Sequence, residues 1–357
     1  MSKKALIAMS GGVDSSVSAY IIKKQKFDCF GVTIKQFNNR DINIDEKKTC
    51  CSLDDILDAR NIAHSIKIPH YVINFINDFK KQVIDRFVRG YQIGETPNPC
   101  IYCNRYIRFE KLLSYAKQLD INYIVTGHYA RIEYNKKSNR YLLKKAIDET
   151  KDQSYVLYCA TQDQLAHFLF PLGYFYKSEV REIARNQGFL NAEKHDSQDI
   201  CFVQKNNYSK FIEQYTKKNY ENGNFVDTNN NLIGIHKGLI KYTIGQRKGL
   251  GLSLKKPMYV LSKNINNNTV TLCEEKKLFA KTLLATDFNW IAHDKIDNSI
   301  RIKAKIRYKQ SEQWATAEQI SKKIVRITFD SPQRAITKGQ AVVLYDGDIV
   351  VGGGTIL

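Results

Sequence analysis

The 357 residues carry 55 Lys and Arg against 36 Asp and Glu, a formal charge of +19. That excess goes beyond what solubility requires and points to a polyanionic partner; the plainer alternative is a Lys- and Asn-rich background, as in NKKSNR and NINNNT. No apolar run approaches the ~18–20 residues of a membrane span, and no secretory or transit pattern is visible, so a cytoplasmic protein without membrane contact is expected.

KALIAM reads as a short buried strand. After it Val13, Val17, Tyr20 and Ile21 fall on one helical face. CFGVTI (29–34) is a second strand and NNRDINIDEKKTCC a polar loop. SLDDILDARNIAHSI follows as a helix with Ser52 as N-cap and Asp55 three residues on. HYVINF is a third strand, residues 78–93 and 104–119 pattern as helices, and YIVTGH is another strand. This alternation predicts an α/β fold with a doubly wound parallel sheet, which binds ligands beyond the carboxyl ends of its strands. The α/β character fades after about Phe202. A mixed, basic and Gly/Asn-rich stretch comes next, and from about Lys277 short alternating strands predict a small β-barrel. The expected division is 1–205, 206–276 and 277–357.

The Ser10-Gly11-Gly12-Val13-Asp14-Ser15 turn joins the first strand to the first helix. It has neither GxxxxGK[ST] nor G-x-G-x-x-G spacing. Consecutive backbone N–H groups and a helix dipole there suit a pyrophosphate; a plain tight turn is the alternative. Asp14 either orients Mg²⁺ or braces the turn. The string itself, SGGVDS after the first strand, resembles the PP-loop of the N-type ATP pyrophosphatases. These enzymes cleave ATP between the α- and β-phosphates and adenylate a substrate oxygen.

Eight cysteines are present, without the paired CxxC spacing of a structural zinc site. Cys29, Cys159 and Cys273 lie in apolar runs and read as core residues; the vicinal Cys50 and Cys51 receive no role. TPNPCIYCNRYIRF places Cys100 and Cys103 before a helix, where its dipole, Arg105 and Arg108 favour thiolate. KHDSQDICFV carries Cys201 about a hundred residues later. A persulfide on one cysteine can displace an adenylate, and a second thiol can release that sulfur by forming a disulfide.

SGGVDSSV, TPNPCIYCNRYIRF, TGHYAR, KDQSYVLY, FPLGYFYKSEVREIA, DSQDICF, GQRKGLG and GQAVVLYDGDIVVGGG together resemble the tRNA-specific 2-thiouridylases, the MnmA family, in order along essentially the whole chain. The resemblance implies a PP-loop domain, a small central domain and a C-terminal β-barrel. It implies ATP- and Mg²⁺-dependent thiolation of the wobble uridine in tRNAs for Lys, Glu and Gln. Carried over by motif, ATP would contact Ala8, Met9, Ser10, Gly11, Gly12, Val13, Asp14, Ser15, Ile34 and Gly127. Ile34 stands where the family often has Met. Cys103 would be the nucleophile and Cys201 the persulfide carrier, the two closing a redox disulfide. Asn98, Pro99 and Cys100 would lie at the target base. His128, Lys151, Asp152, Gln153, Arg307, Tyr308 and Gln340 would contact tRNA. A cysteine desulfurase or relay protein would supply sulfur, and a monomer is expected. Because Cys100 replaces an Asp found in many members, Cys100, Cys103 and Cys201 form a second reading, a three-thiolate iron–sulfur site. Two competing functions stay open. Another PP-loop adenylating ligase would need neither Cys103 nor Cys201. A non-catalytic metal- or cluster-carrying RNA-binding protein would not need Gly11, Gly12 and Asp14.

Overall fold

The structure, a computed structural model, describes residues 3–38, 53–196, 199–203, 207–296 and 298–357. The expected Ser52 cap and the Cys50–Cys51 pair lie outside the described residues. The first strand, β1 (Lys4–Ala8), is flanked on both sides by parallel neighbours: β2 (Asp28–Lys35) on one and β4 (Tyr123–Val125) on the other. With β3 (His70–Asn74) and β7 (Phe168–Leu169) the sheet runs β3-β2-β1-β4-β7. Alternation along β1 feeds two cores. Ala5 and Ile7 face one with Val13, Val17 and Ile62; Leu6 faces the other with Phe79, Phe87 and Phe109. Helices α1 (Val13–Lys24) and α2 (Leu53–Ser65) cover the first face. Helical runs over 76–92 and 99–118 cover the second, beginning a few residues earlier than the sequence pattern suggests. The strand order reverses direction between β1 and β4, so the switch point of this sheet lies at the end of β1.

The central segment forms a four-stranded sheet from β8 (Gly223–Val226), β9 (Leu232–His236), β10 (Tyr259–Asn264) and β11 (Thr269–Cys273), in the order β10-β11-β8-β9. Phe225, Tyr242, Val260 and Leu272 fill its core. The C-terminal segment contributes β12 (Phe279–Trp290), β13 (Ile300–Lys305), β14 (Gln313–Ser321), β15 (Ile324–Arg334), β16 (Ala341–Asp346) and β17 (Ile349–Ile356). They pair as β12-β15-β14-β13-β16-β17, and β17 pairs back to β12, closing a six-stranded barrel. Closure removes the sheet edges that would otherwise invite pairing with other chains.

One element departs from the expected organisation. Residues 130–145 form a hairpin, β5 (Ala130–Asn135) and β6 (Arg140–Lys145), which joins the barrel sheet through Ile349 opposite Lys144. The barrel is held further by Tyr155 donating to the Ala341 carbonyl at 2.8 Å and by Asn289 donating to the Tyr158 and Ala160 carbonyls at 2.7 and 2.8 Å. Tyr155 and Tyr158 are buried, so these bonds are shielded from water.

Cys29, Cys159 and Cys273 are buried, as their apolar runs suggest. Burial pushes the Cys29 thiol up to about 11 and the Cys159 thiol up to about 12, so neither offers a thiolate at neutral pH. Phe202, the residue after Cys201, is 1% exposed and packs edge-on against Phe79 and Phe87 at 5.9 and 5.3 Å. This aromatic plug fixes where Cys201 emerges from the core. Phe202→Ala is expected to cost about 3–5 kcal/mol in denaturant unfolding and to speed alkylation of Cys201. A cost below about 1 kcal/mol would show that the plug does not anchor the segment.

Candidate active site

The loop after β1 is built around steric necessity. Gly11 has φ +74, and a Cβ there would sit 2.4 Å from the Asp55 carbonyl oxygen. Gly12 is the N-cap of α1 and brings no capping side chain. Ser16 N donates to Gly12 O at 3.2 Å, so the N–H groups before it open the helix without intrahelical acceptors. An uncapped helix start with outward N–H groups suits an anion. The turn is braced internally: the Ser15 hydroxyl accepts from Ser10 N at 3.1 Å and donates to Gly12 O at 3.0 Å. Met9 is held by β2, its N donating to Val32 O and its carbonyl accepting from the Thr33 hydroxyl, both at 2.8 Å. Ala8 ends β1, Val13 is buried under the helix, and Ile34 is buried in β2. Gly127 follows β4, and a Cβ there would meet the Asp14 carbonyl carbon and Ser15 nitrogen at 2.9 Å. The expected nucleotide residues therefore converge on the carboxyl ends of β1, β2 and β4.

The chain adds charged residues that sequence reasoning missed. Asp14 accepts from Lys177 at 2.6 Å and from the Tyr129 hydroxyl at 2.9 Å. Lys177 also meets Asp196 at 2.8 Å, and Asp196 meets Lys151 at 2.7 Å and Arg181 at 3.3 Å. Burial raises the Asp196 carboxyl, but hydrogen bonds from Lys151 and Lys177 outweigh it and leave it below the ordinary value. Asn191 donates to the Gly11 carbonyl at 3.0 Å and to the Ser16 hydroxyl at 2.9 Å; its Oδ1 is buried without a partner among the described residues. Lys177 opens the helix Lys177–Asn186. A cation at a helix start opposes the dipole, and this was the one readable signal that it serves acidic partners.

The thiols lie on the other face of the sheet. Asn98 caps the 99–118 helical run, its side chain accepting from Cys100 N at 3.1 Å, and Pro99 occupies the first turn. Cys100 is exposed and Cys103 half-buried. At Cys103 the helix widens into i→i+5 turns through Leu112, a distortion frequent at functional sites. Gln36, just beyond β2, donates to Cys103 Sγ at 3.9 Å, another contact the sequence did not announce. Cys103 and Cys201 both border the core that contains Phe79, Phe87 and Phe202. Arg105 is committed to Asp287 of β12 and Arg108 to Asn104 and His128, so both expected thiolate-stabilising cations have other partners. Among the described residues no three His, Cys, Asp or Glu side chains are grouped to hold a metal ion. Cys100, Cys103 and Cys201 do not form such a group in this structure.

His128 is 7% exposed. Arg108 can only donate, so His128 Nε2 accepts from it at 2.9 Å; the proton sits on Nδ1 and is given to the Thr126 hydroxyl at 2.7 Å. Burial and the Arg108 charge hold the imidazole well below its ordinary value, hence neutral. The remaining expected RNA residues meet along the seam with the barrel. Asp152 caps its turn through Ser154 and receives the Tyr308 hydroxyl on its carbonyl at 2.9 Å. Gln153 brackets Tyr129 by two hydrogen bonds. Arg307 donates to Ala335 O at 2.8 Å, and Gln340 donates to Thr96 O at 2.5 Å, next to the Asn98 turn. Arg247 and Lys248 of the GQRKGLG loop are exposed, and its Gly245 carbonyl accepts from Arg334 at 3.4 Å.

A parallel sheet with a glycine turn at its switch point and an uncapped helix start defines a nucleotide-binding domain of the PP-loop class, here joined to two β domains. Residues 3–205 match the family described as tRNA methyl transferase HUP domain, 209–274 its PRC-barrel domain, and 280–356 the aminomethyltransferase beta-barrel domain. The chain is 49% identical over 356 residues to the tRNA-specific 2-thiouridylase MnmA of Clostridioides difficile, covering 100% of this chain and 98% of that one. It is 52% identical to tRNA-specific 2-thiouridylase MnmA 1 of Thermoanaerobacter sp., covering 99% and 97%. It is 50% identical to the tRNA-specific 2-thiouridylase MnmA of Acetivibrio thermocellus, covering 99% of both. The chain belongs to the family of the tRNA-specific 2-thiouridylases. Among the described residues no helix is long and apolar enough to cross a membrane.

Gly127→Ala must push the β4 end away from the α1 start, because the atoms it meets are backbone. A loss of about 1–3 kcal/mol in stability and a measurably weaker ATP affinity are expected by thermal unfolding and calorimetry; unchanged values would refute the close approach. His128 generates a pH dependence. Its folded value lies below the unfolded 6.5, so the unfolded chain binds the extra proton and stability falls as pH drops through 6.5. The contribution reaches about 1.4 kcal/mol per pH unit below that point. His128→Gln keeps an acceptor for Arg108 and should flatten the curve; His70, also lowered by burial, keeps some slope. An identical acid profile would mean that His128 ionises inside the fold.

Proposed function

We propose that this chain catalyses ATP-dependent 2-thiolation of the wobble uridine, U34, in tRNAs for Lys, Glu and Gln, releasing AMP and pyrophosphate. The observation that carries it is the sharing of one sheet edge by two chemistries. The anion-binding turn follows β1, and Gln36, just past the adjacent β2, touches Cys103 Sγ at 3.9 Å. Adenylation and sulfur transfer need those two groups close together. A methyl transfer would need no thiol at this edge, and an ammonia-using ligase would not need the second thiol, Cys201.

In this reading ATP lies on the Ser10–Ser15 turn, and Mg²⁺ comes with it as part of the substrate. Asp14 already serves Lys177 and Tyr129, so Asp14 acts chiefly by holding Lys177 toward the phosphates. Uridine O2 attacks the α-phosphorus and pyrophosphate leaves. Terminal persulfide sulfur on Cys201 attacks C2 and AMP leaves. Cys103 thiolate then attacks Cys201 Sγ, breaking the S–S bond and leaving sulfur on the base. The resulting Cys103–Cys201 disulfide is reduced by a cellular thiol. Asn98, Pro99 and Cys100 border the base; Lys151, Asp152, Gln153, Arg307, Tyr308 and Gln340 lie along the tRNA. The reading takes 1–205 as catalytic, 206–276 and 277–357 as RNA-guiding. It expects a cytoplasmic monomer served by a cysteine desulfurase or a relay protein.

The test is incubation with ATP, Mg²⁺, a persulfide source and unmodified glutamate tRNA, followed by digestion and mass spectrometry for 2-thiouridine. Product should require ATP and fall at least a hundredfold, about 3 kcal/mol in activation barrier, in Cys103→Ser and in Cys201→Ser. Pyrophosphate without thiolated uridine would keep the nucleotide chemistry and overturn the sulfur chemistry.

A further inference from the structure

The segment Arg301-Ile302-Lys303-Ala304-Lys305-Ile306-Arg307-Tyr308 alternates basic and apolar residues. Ile302, Ala304 and Ile306 are 5%, 1% and 2% exposed and belong to the barrel core. Arg301, Lys303 and Lys305 therefore share the outer face of β13, spaced about 6.6 Å apart, with Arg307 just past the strand's end. Trp314 of β14 is opposite Lys303 in register and so stands on that same face. It is 50% exposed, with the Arg301 guanidinium 5.1 Å and the Lys303 ammonium 5.3 Å from its ring. Core packing does not require a tryptophan there. At the far end Lys305 reaches the Tyr155 and Tyr345 rings at 6.0 and 5.8 Å, and the Tyr308 hydroxyl meets the Asp152 carbonyl at 2.9 Å. The row thus leads from open surface into the seam beside the Lys151–Gln153 segment.

We infer that the outer face of β13, with Trp314, is a track for the RNA strand flanking the target uridine. Lys303, Lys305 and Arg301 meet successive phosphates, and Trp314 stacks on a base. The inference rests on the reading of tRNA as substrate. Charge complementarity selects the occupant. Evenly spaced cations beside an aromatic platform match a strand that repeats phosphate and ring, as single-stranded nucleic-acid sites do. Asp330 holds the Arg301 fork in this structure, but that pair is exposed and worth little, so a phosphate can compete for it.

The test is equilibrium binding of an RNA hairpin carrying the unmodified anticodon arm, measured over a salt series for the full chain and for Trp314→Ala, Trp314→Phe and Lys303→Ala. Thermal unfolding and ATP binding should stay as in the parent chain, since neither residue touches the nucleotide turn or the core. Trp314→Ala should weaken RNA binding roughly tenfold and Trp314→Phe should restore most of it. Lys303→Ala should reduce the salt slope by about one. Parent-like affinity in Trp314→Ala overturns the track. So does a variant that binds RNA normally but accepts sulfur poorly from its donor, which would make the patch a protein-docking surface. Failure of the parent chain to form 2-thiouridine would sink the enzymatic reading alone, because the binding series judges the track separately.

Discussion

The interaction on which the site depends is the alternation of charge from Asp14 through Lys177 and Asp196 to Lys151. Lys177 is 8% exposed, and a buried ammonium without partners would cost several kcal/mol. The two carboxylates hold it beside the α1 start, whose own N–H groups already favour an anion. A triphosphate placed there finds its counter-charges in position and need not reorganise them. The same carboxylates keep the cluster from being a bare patch that would capture any anion.

Geometry at this point leaves no room for substitution. The β4 end passes against the α1 start at Gly127, while α2 presses on Gly11 from the other side. These two approaches set how far the anion-binding turn projects beyond the sheet. Because β1 and β2 are adjacent parallel strands, the same edge that presents the turn also presents Gln36 to Cys103. The barrel then fixes the remaining variable, the Asn98 turn. Thr96 N donates to Lys338 O at 2.9 Å, and Gln340 returns a bond to Thr96 O. The central domain reaches the same place: Lys263, lowered to about 8 by burial against the pull of Glu95, donates to the Tyr242 carbonyl at 3.0 Å. All three parts of the chain thus converge on the few residues that precede Cys100.

What could be read from sequence was what repeats locally. Alternation and helical spacing identified β1, β2, β4 and α1, and two glycines after a strand identified the anion-binding turn. The hairpin β5–β6 is a local pair, but its attachment to the barrel escaped notice because β17 lies some two hundred residues away and pairing at that range leaves no local signature. Lys177, Asp196 and Asn191 escaped for the same reason, since each acts through a contact made by folding. His128 was legible as a residue following a strand, but not as a buried neutral ring, because that depends on Arg108 and Phe170 closing around it. The three-thiolate reading rested on Cys100 standing where many members have Asp; the fold exposes Cys100 while tucking Cys103 and Cys201 against an aromatic core.

The excess positive charge now separates by place. Part of it is structural: Arg131 to Asp348, Arg140 to Asp294 and Arg105 to Asp287 tie the catalytic segment to the barrel and its flanks. Part surrounds the nucleotide turn, where Lys151, Lys177 and Arg181 surround Asp196. The structural pairs are committed to carboxylates and are not open to RNA as they stand. A long polyanion meets the exposed Arg247 and Lys248 loop and the outer row of β13 near Arg307. Strict alternation with buried Ile302, Ala304 and Ile306 places a row of cations on one strand face that runs to the seam beside the Lys151–Gln153 segment. Net charge therefore says that a polyanion is welcome, and the pleat of one strand says where it lies.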